Sequence, residues 1–439
     1  MRFYDRENEI EYLQKVWSQA EDAARFTVLT GRRRIGKTSL VLKAYQGTPM
    51  LYFFVARKSE SDLCEAYLTE IERVLGMPLM GRVGSFAEVF ECLMKLSTQQ
   101  RFTLFIDEFQ EFYRVNKSVF SEMQRIWDLY EKDSHINLVV CGSVFSMMQK
   151  IFRNKKEPLY GRCTGELKVR PFAPSVLKKI LSDYRPDYSC EDLLALFSFT
   201  GGVAKYVQLL VDDKALTKED MIRSIVSPNS TFLYEGKNNL IEEFGKDYGI
   251  YFSILSCIAR GTNTRAAIED VVRREIGGYI SNLENDYELI SKRQPLFEKS
   301  TTKNVRYEIN DVFYTFWFRF FFKYSHILEI ENYAKVREII ERDYETFSGW
   351  MLERYFHSKL VEEGTCTRLG RWWDRKGYNE IDLIAEDELE KLVAFYEIKR
   401  NAERADLEVL HEKVVNMTAA THAYKGYVVT HKVLSMEDM

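Results

Sequence analysis

Residues 24–40 read Ala-Arg-Phe-Thr-Val-Leu-Thr-Gly-Arg-Arg-Arg-Ile-Gly-Lys-Thr-Ser-Leu, and this stretch decides the fold. Phe26, Val28 and Leu29 predict a short buried strand, Gly31 and Gly36 bracket a turn, and Leu40, Val41 and Leu42 continue as a helix. The spacing G-x-x-x-x-G-K-[ST] is that of a phosphate-binding loop. Its glycines let the backbone wrap a phosphate chain with the N–H groups pointing inward, so Gly31, Arg32, Arg33, Arg34, Ile35 and Gly36 form a cradle. Lys37 reaches the β and γ phosphates, the Thr38 hydroxyl is placed for Mg²⁺, and Ser39 closes the binding segment. A glycine-rich turn that binds nothing would not explain Lys-Thr directly after the second glycine.

The 439 residues around this loop are too many for one core, so two or three domains are expected. A formal net charge of −4 leaves no general basic field, and any nucleic-acid contact has to come from local patches. The seven cysteines are scattered singly with no CxxC pair, which argues against disulfides and a zinc knuckle and for a reducing compartment. None of the six histidines forms a ligand spacing. A charged start and the lack of any apolar run approaching ~20 residues predict no signal peptide and no membrane span, hence a cytoplasmic protein.

Downstream, Arg101-Phe-Thr-Leu-Phe-Ile-Asp107-Glu108 is an apolar run ending in two carboxylates. A buried strand of this kind delivers Asp107 to the Mg²⁺ shell and sets Glu108 beside it to activate the attacking water. The strand Ile136–Cys141 ends at Gly142-Ser143, and Ser143 is either a sensor of the γ phosphate or the cap of a helix starting at 144. Before a fifth strand at 165–169 stands Pro158-Leu-Tyr-Gly-Arg162. Arg162, with Arg153 as competitor, is placed for a finger that stabilises phosphoryl charge in a neighbouring or closing subunit of a homo-oligomer.

From Phe3-Tyr-Asp-Arg-Glu through GRRRIGKTSL, FIDEFQ, CGS and PLYGR, the chain resembles the archaeal-type ATPase family, a branch near the AAA+ and STAND ATPases that also occurs in bacteria. The resemblance implies an α/β fold with a five-strand parallel sheet between helices, and ATP with Mg²⁺ as the ligand. A small GTPase is disfavoured, because Asn116-Lys-Ser does not follow an apolar strand. The core is expected over residues 1–170.

Residues 171–235 predict a helical lid, with helices at 174–184, 190–198, 203–212 and 217–226. Gly201-Gly-Val-Ala-Lys-Tyr206 is similar to the family's lid motif, with Ala204 where proline is usual. The polar, glycine-containing stretch 236–249 predicts a boundary. Beyond it, to residue 324, three short helices and a basic hairpin, including a strand over 299–303, predict a winged helix-turn-helix. Its reading helix, 277–287, carries Glu284, Asp286 and Glu288, so interdomain packing stands beside DNA binding as its role. The aromatic run 307–322 is interrupted by Arg319 and predicts core, not a membrane segment.

In residues 325–439, Glu353 stands on a predicted helix, Asp382 on one strand, and Glu397-Ile398-Lys399 on the next. Strand alternation puts Glu397 and Lys399 on one face and Ile398 in the core. Asp382 and Glu397 can then bind Mg²⁺ or Mn²⁺ through hard oxygens, while Lys399 stabilises a nucleophile or the developing phosphorane charge. This set resembles the PD-(D/E)XK nuclease fold, and a solvated Glu-Lys strand face is the plain alternative. Arg371, Arg375 and Lys376, interleaved with Trp372 and Trp373, read as a backbone track with base stacking or as a loop of snorkelling side chains. Lys413 and Asn416 fall on the helix that follows. Two functions fit: an ATPase whose nucleotide state gates cleavage of DNA, with RNA as the alternative substrate, or a STAND-like switch whose C-terminal domain only binds nucleic acid or protein.

Overall fold

The structure, a computed structural model, describes residues 1–76, 83–299 and 301–439. The chain divides into two compact units, Asp5–Arg170 and Met1–Tyr4 with Pro171–Met439. In the first, five parallel strands, β1 (Arg25–Thr30), β2 (Met50–Phe54), β3 (Phe102–Asp107), β4 (Ile136–Cys141) and β5 (Gly165–Lys168), lie in the order β2-β3-β4-β1-β5. The central strands β3 and β4 are buried along their whole length, as apolar runs covered by helices on both faces must be. At the edge, β5 has the mixed sequence Gly-Glu-Leu-Lys and is half exposed. Ser59 and Ser85 cap the crossover helices Glu60–Leu75 and Phe86–Leu96 by accepting the amides of Asp62 and Glu88. Because β4 lies between β1 and β3, its tip separates and links the two nucleotide motifs.

The second unit begins with the helices Pro174–Tyr184, Cys190–Thr200, Ala204–Asp212 and Lys218–Ile225, near their predicted positions. Gly201 ends the second of these in the left-handed region, and at Gly202 a Cβ would strike the Phe172 carbonyl oxygen. Within the stretch 236–249, residues up to Phe244 belong to the helix Thr231–Phe244, and the chain breaks at Gly245, φ 60°. Gly236 is not a breaker there but a slot for the Trp317 ring, whose Nε1 donates to the Leu233 carbonyl at 3.1 Å, and buried Asn239 donates to Glu235 at 3.1 Å. The expected division at 235/236 thus falls inside a helix.

After the helices Tyr248–Ala259, Arg265–Val272 and Gly277–Ser281 comes a hairpin of β6 (Ile290–Arg293) and β7 (Arg306–Ile309), with Ile290 opposite Ile309. The strand expected over 299–303 is absent at the described positions, which are irregular with a turn at Thr301, while Ser300 lies outside the described residues. The aromatic run is core: Phe313, Phe316, Trp317, Phe318, Phe320 and Phe321 are buried. Among the described residues no helix is long and apolar enough to cross a membrane.

The C-terminal segment is a mixed sheet of β8 (Arg368–Trp373), β9 (Glu380–Asp387), β10 (Leu392–Ile398) and β11 (Val428–Leu434), in the order β11-β10-β9-β8. Only β10 and β11 pair in parallel, joined by the helix Leu407–Thr421, which buries Leu410, Val414 and Met417 in the same cluster as Ile381, Ile384 and Phe395. The 31-residue helix Tyr333–Glu363 packs on the helix Cys190–Thr200 and reaches β9.

Candidate functional site

At the strand-end edge of the first unit, Gly31, Arg34 and Gly36 take φ of 145°, 70° and 96°, which turns the loop back on itself. A Cβ on Gly31 would stand 2.7 Å from the Val169 carbonyl oxygen, so glycine is required there. Gly36 precedes the helix Lys37–Ala44, whose first amides open onto the cradle. The Lys37 ammonium is buried and donates to the carbonyls of Gly31 at 2.9 Å and Arg32 at 3.1 Å. Burial lowers its pKa, against the pull of the nearby acidic groups. A lysine held on the loop's own carbonyls is poised to exchange them for phosphate oxygens.

Thr38 Oγ1 donates to Asp107 Oδ2 at 2.7 Å, which sets a hydroxyl and a carboxylate oxygen together as hard donors fit for Mg²⁺. Asp107 also accepts from the Tyr52 hydroxyl at 3.2 Å, the Cys141 thiol at 2.9 Å and the Glu108 amide at 2.9 Å. Burial, with the Asp107 charge adding to it, pushes both the Cys141 thiol and the Tyr52 phenol up, so each stays a protonated donor. Glu108 sits at φ 56°, strained for a non-glycine residue. Its Oε2 accepts from Gln110 Nε2 and from Ser143 Oγ, each at 2.6 Å.

The cap role for Ser143 is corrected: the next helix is Phe145–Arg153, Val144 occupies its cap position, and Ser143 holds Glu108 instead. Arg162 lies in the turn before β5, whose Lys168 is level with Thr30 at the end of β1. Its guanidinium pairs with Asp128 at 3.1 Å and donates to the Tyr160 carbonyl at 3.0 Å. Arg153 pairs with Glu166 at 2.8 Å.

In the second unit, the register that pairs Tyr396 with Leu383 brings Glu397 opposite Asp382. The ladder ends there because Asp382 Oδ2 accepts the Ile398 amide at 2.8 Å. Lys399 Nζ lies 2.6 Å from Glu397 and 3.5 Å from Asp382, and Lys413 donates to the other Glu397 oxygen at 3.0 Å. Glu353 joins them in one cavity of about 530 Å³, bound to Arg371 at 3.2 Å, and Arg371 bonds Glu308 of β7 at 3.2 Å. Burial, with the charges of Asp382, Glu380 and Glu308 added, raises the Glu353 carboxyl to about 8 despite Arg371. Burial also raises Asp382, and the Glu397 charge adds to it. Carboxylates held up by burial and mutual repulsion are a donor set that a divalent cation would relieve, and their oxygens are hard enough for Mg²⁺ or Mn²⁺. Among the described residues no group of three or more His, Cys, Asp or Glu side chains is arranged to hold a metal ion.

Sequence reasoning missed Tyr52, Cys141 and Gln110 around the first site and the Arg371–Glu308 link at the second. The base-stacking role of Trp372 and Trp373 is corrected: both are buried. Gly142 carried a signal for Gln110, since a Cβ there would strike its Oε1.

This fold and site define a P-loop ATPase. A model of an ATPase domain predominantly from Archaea matches residues 3–210, and one of archaeal and bacterial proteins of unknown function matches residues 317–410. An uncharacterized protein of Methanocaldococcus jannaschii is 30% identical over 408 residues, 90% of this chain and 87% of that protein. The chain therefore belongs to the family of ATPases found predominantly in Archaea. A Walker-type ATPase of Pyrococcus abyssi shares the fold, with TM-score 0.54 and 19% identity over 72% of this chain and 96% of that one. The ORC2 protein of Aeropyrum pernix, solved as ADPNP-ADP complexes, is 13% identical over 78% of this chain and 96% of that one, with TM-score 0.48.

Proposed function

We propose that this ATPase controls, through its nucleotide state, a C-terminal metal-dependent nuclease-like domain that acts on DNA, with RNA as the alternative. The observation that carries this is the meeting of Asp382, Glu397 and Lys399 on adjacent strands with Glu353 in the same cavity. In the first unit, the cradle of residues 31–39 holds ATP, Lys37 binds the β and γ phosphates, and Thr38 with Asp107 holds Mg²⁺. Glu108 accepts the proton of the attacking water, oriented by Gln110 and by Ser143, which also senses the γ phosphate. In the second unit, Asp382 and Glu397 hold Mg²⁺ or Mn²⁺, which would lower the pKa of bound water and neutralise phosphate charge. Lys399 stays charged, because the two carboxylates outweigh the burial that opposes it, and it stabilises the phosphorane; Glu353 positions Arg371. Residues 236–324 serve as a winged-helix module, and residues 325–439 as the nuclease-like domain. A homo-oligomer is the arrangement in which Arg162, on the strand-start edge, could face a neighbour's nucleotide once released from Asp128.

One observation favours the switch reading instead: Lys399 and Lys413 occupy both oxygens of Glu397, which suits a domain that binds without cleaving. Cleavage of labelled DNA and RNA with Mg²⁺ or Mn²⁺ separates the two. Cleavage that disappears in Asp382→Ala supports the nuclease reading, and absence of cleavage on every substrate supports the switch.

A further inference from the structure

Beside the carboxylate cavity lies a larger groove of about 1120 Å³, between the loop joining β6 to β7 and the turn joining β8 to β9. The two cavities share Arg306 and Trp373 on their walls, so the groove leads toward Asp382 and Glu397. Its two sides are fastened to one another. Trp373 Nε1 donates to Asn304 Oδ1 at 2.8 Å, the Arg306 guanidinium lies 4.5 Å over the Trp373 ring and bonds Glu380 at 2.7 Å, and the Leu296 amide donates to the Arg371 carbonyl at 2.9 Å.

The turn is equally fixed. Asp374 accepts the amides of Lys376 and Tyr378 at 3.0 Å each and of Asn379 at 3.1 Å, so its charge is spent inside the turn. What the turn offers outward is cationic and aromatic. Arg375 and Lys376 are exposed on one side of the groove and Lys303 on the other. Among the described residues these three enter no ion pair. Tyr378, two residues past Lys376, is 82% exposed, which no packing requirement explains. The tryptophans that could have stacked a base are buried, and Tyr378, the residue after the groove-lining Gly377, is the exposed ring of this turn.

We propose that this groove seats single-stranded nucleic acid, with Lys303, Arg375 and Lys376 on successive phosphates and Tyr378 stacked on an unpaired base. The inference rests on the reading of the adjoining cavity as a nucleic-acid site. A single strand is favoured over a duplex for two reasons. A duplex keeps its base faces stacked and offers none to Tyr378, and the side chains of Asp382 and Glu397 are only 14% and 10% exposed, so a phosphate reaches them more readily on an extruded single strand.

The test is fluorescence anisotropy of labelled 20-nucleotide oligonucleotides on the full chain, in EDTA so that binding is read without cleavage. Single-stranded DNA, single-stranded RNA and duplex DNA are compared. The wild type should bind single strands at least tenfold tighter than duplex. Lys303→Ala/Arg375→Ala/Lys376→Ala should weaken single-strand binding and lower the slope of log K against log salt by about 2, at ~0.7 per phosphate contact. Tyr378→Ala should weaken binding about tenfold with the salt slope unchanged, and the thermal midpoints of both variants should match wild type. Equal affinity for duplex, an unchanged salt slope in the triple variant, or no binding by wild type overturns the inference. Wild-type cleavage in Mg²⁺ or Mn²⁺, checked by its loss in Asp382→Ala, distinguishes the two proposals: single-strand binding in EDTA without any wild-type cleavage removes the nuclease reading and leaves the groove standing. Cleavage by wild type with unaltered binding in the triple variant does the reverse.

Discussion

Lys37 shows how one side chain links loop geometry to turnover. Its ammonium is buried, holds two loop carbonyls, and has a lowered pKa from that burial, so the loop is stabilised by the same group proposed to bind phosphate. Lys37→Ala is expected to remove ATP turnover to background, measured as phosphate release, and unchanged turnover would sink the loop assignment. Glu353 is the second informative residue. Its carboxyl is raised to about 8 from 4.5, chiefly by burial, so the folded chain binds this proton more tightly than the unfolded chain. The resulting stability is fully present below about 4.5 and is lost as pH rises through about 8. Unfolding midpoints measured from pH 5 to 8 should therefore fall more steeply for wild type than for Glu353→Gln, and parallel curves would contradict the shift. Both residues were legible in the sequence because Lys37 sits in a spaced motif and Glu353 on a helix ahead of the Asp…Glu-x-Lys set. Cys141 and Tyr52 were not, since a strand residue that bonds across a neighbouring strand has no partner within reach along the chain.

Among the elements, the helix Thr231–Phe244 departs furthest from the sequence reading. Glycine and asparagine in 236–249 look like linker composition, yet Gly236 is small because Trp317 packs against it. Tertiary packing overrides local propensity there, and only the distant aromatic run explains it. Gly236→Ala puts a methyl group into that ring and should lower stability by roughly 1–3 kcal/mol in denaturant titrations; a neutral substitution would mean the helix moves off Trp317 without penalty. The central strands were easier to read. β3 and β4 are continuous apolar runs, which period and burial specify together, whereas the 299–303 strand rested on charge and hairpin length alone.

For the whole molecule, the sheet order β2-β3-β4-β1-β5 explains why two motifs far apart in sequence form one nucleotide site. The order itself was not legible, because motif spacing fixes which strands carry function but not which are neighbours. The β11-β10-β9-β8 sheet does the same for Asp382 and Glu397, whose opposition follows from register. The two units then pose one question: whether nucleotide in the first governs chemistry in the second. The direct measurement is the initial rate of metal-dependent cleavage of a labelled single strand with ATP, with ADP and without nucleotide, in wild type and Lys37→Ala. The account predicts a rate that changes several-fold with nucleotide in wild type and not in Lys37→Ala. Equal rates in all three nucleotide states for wild type would contradict it.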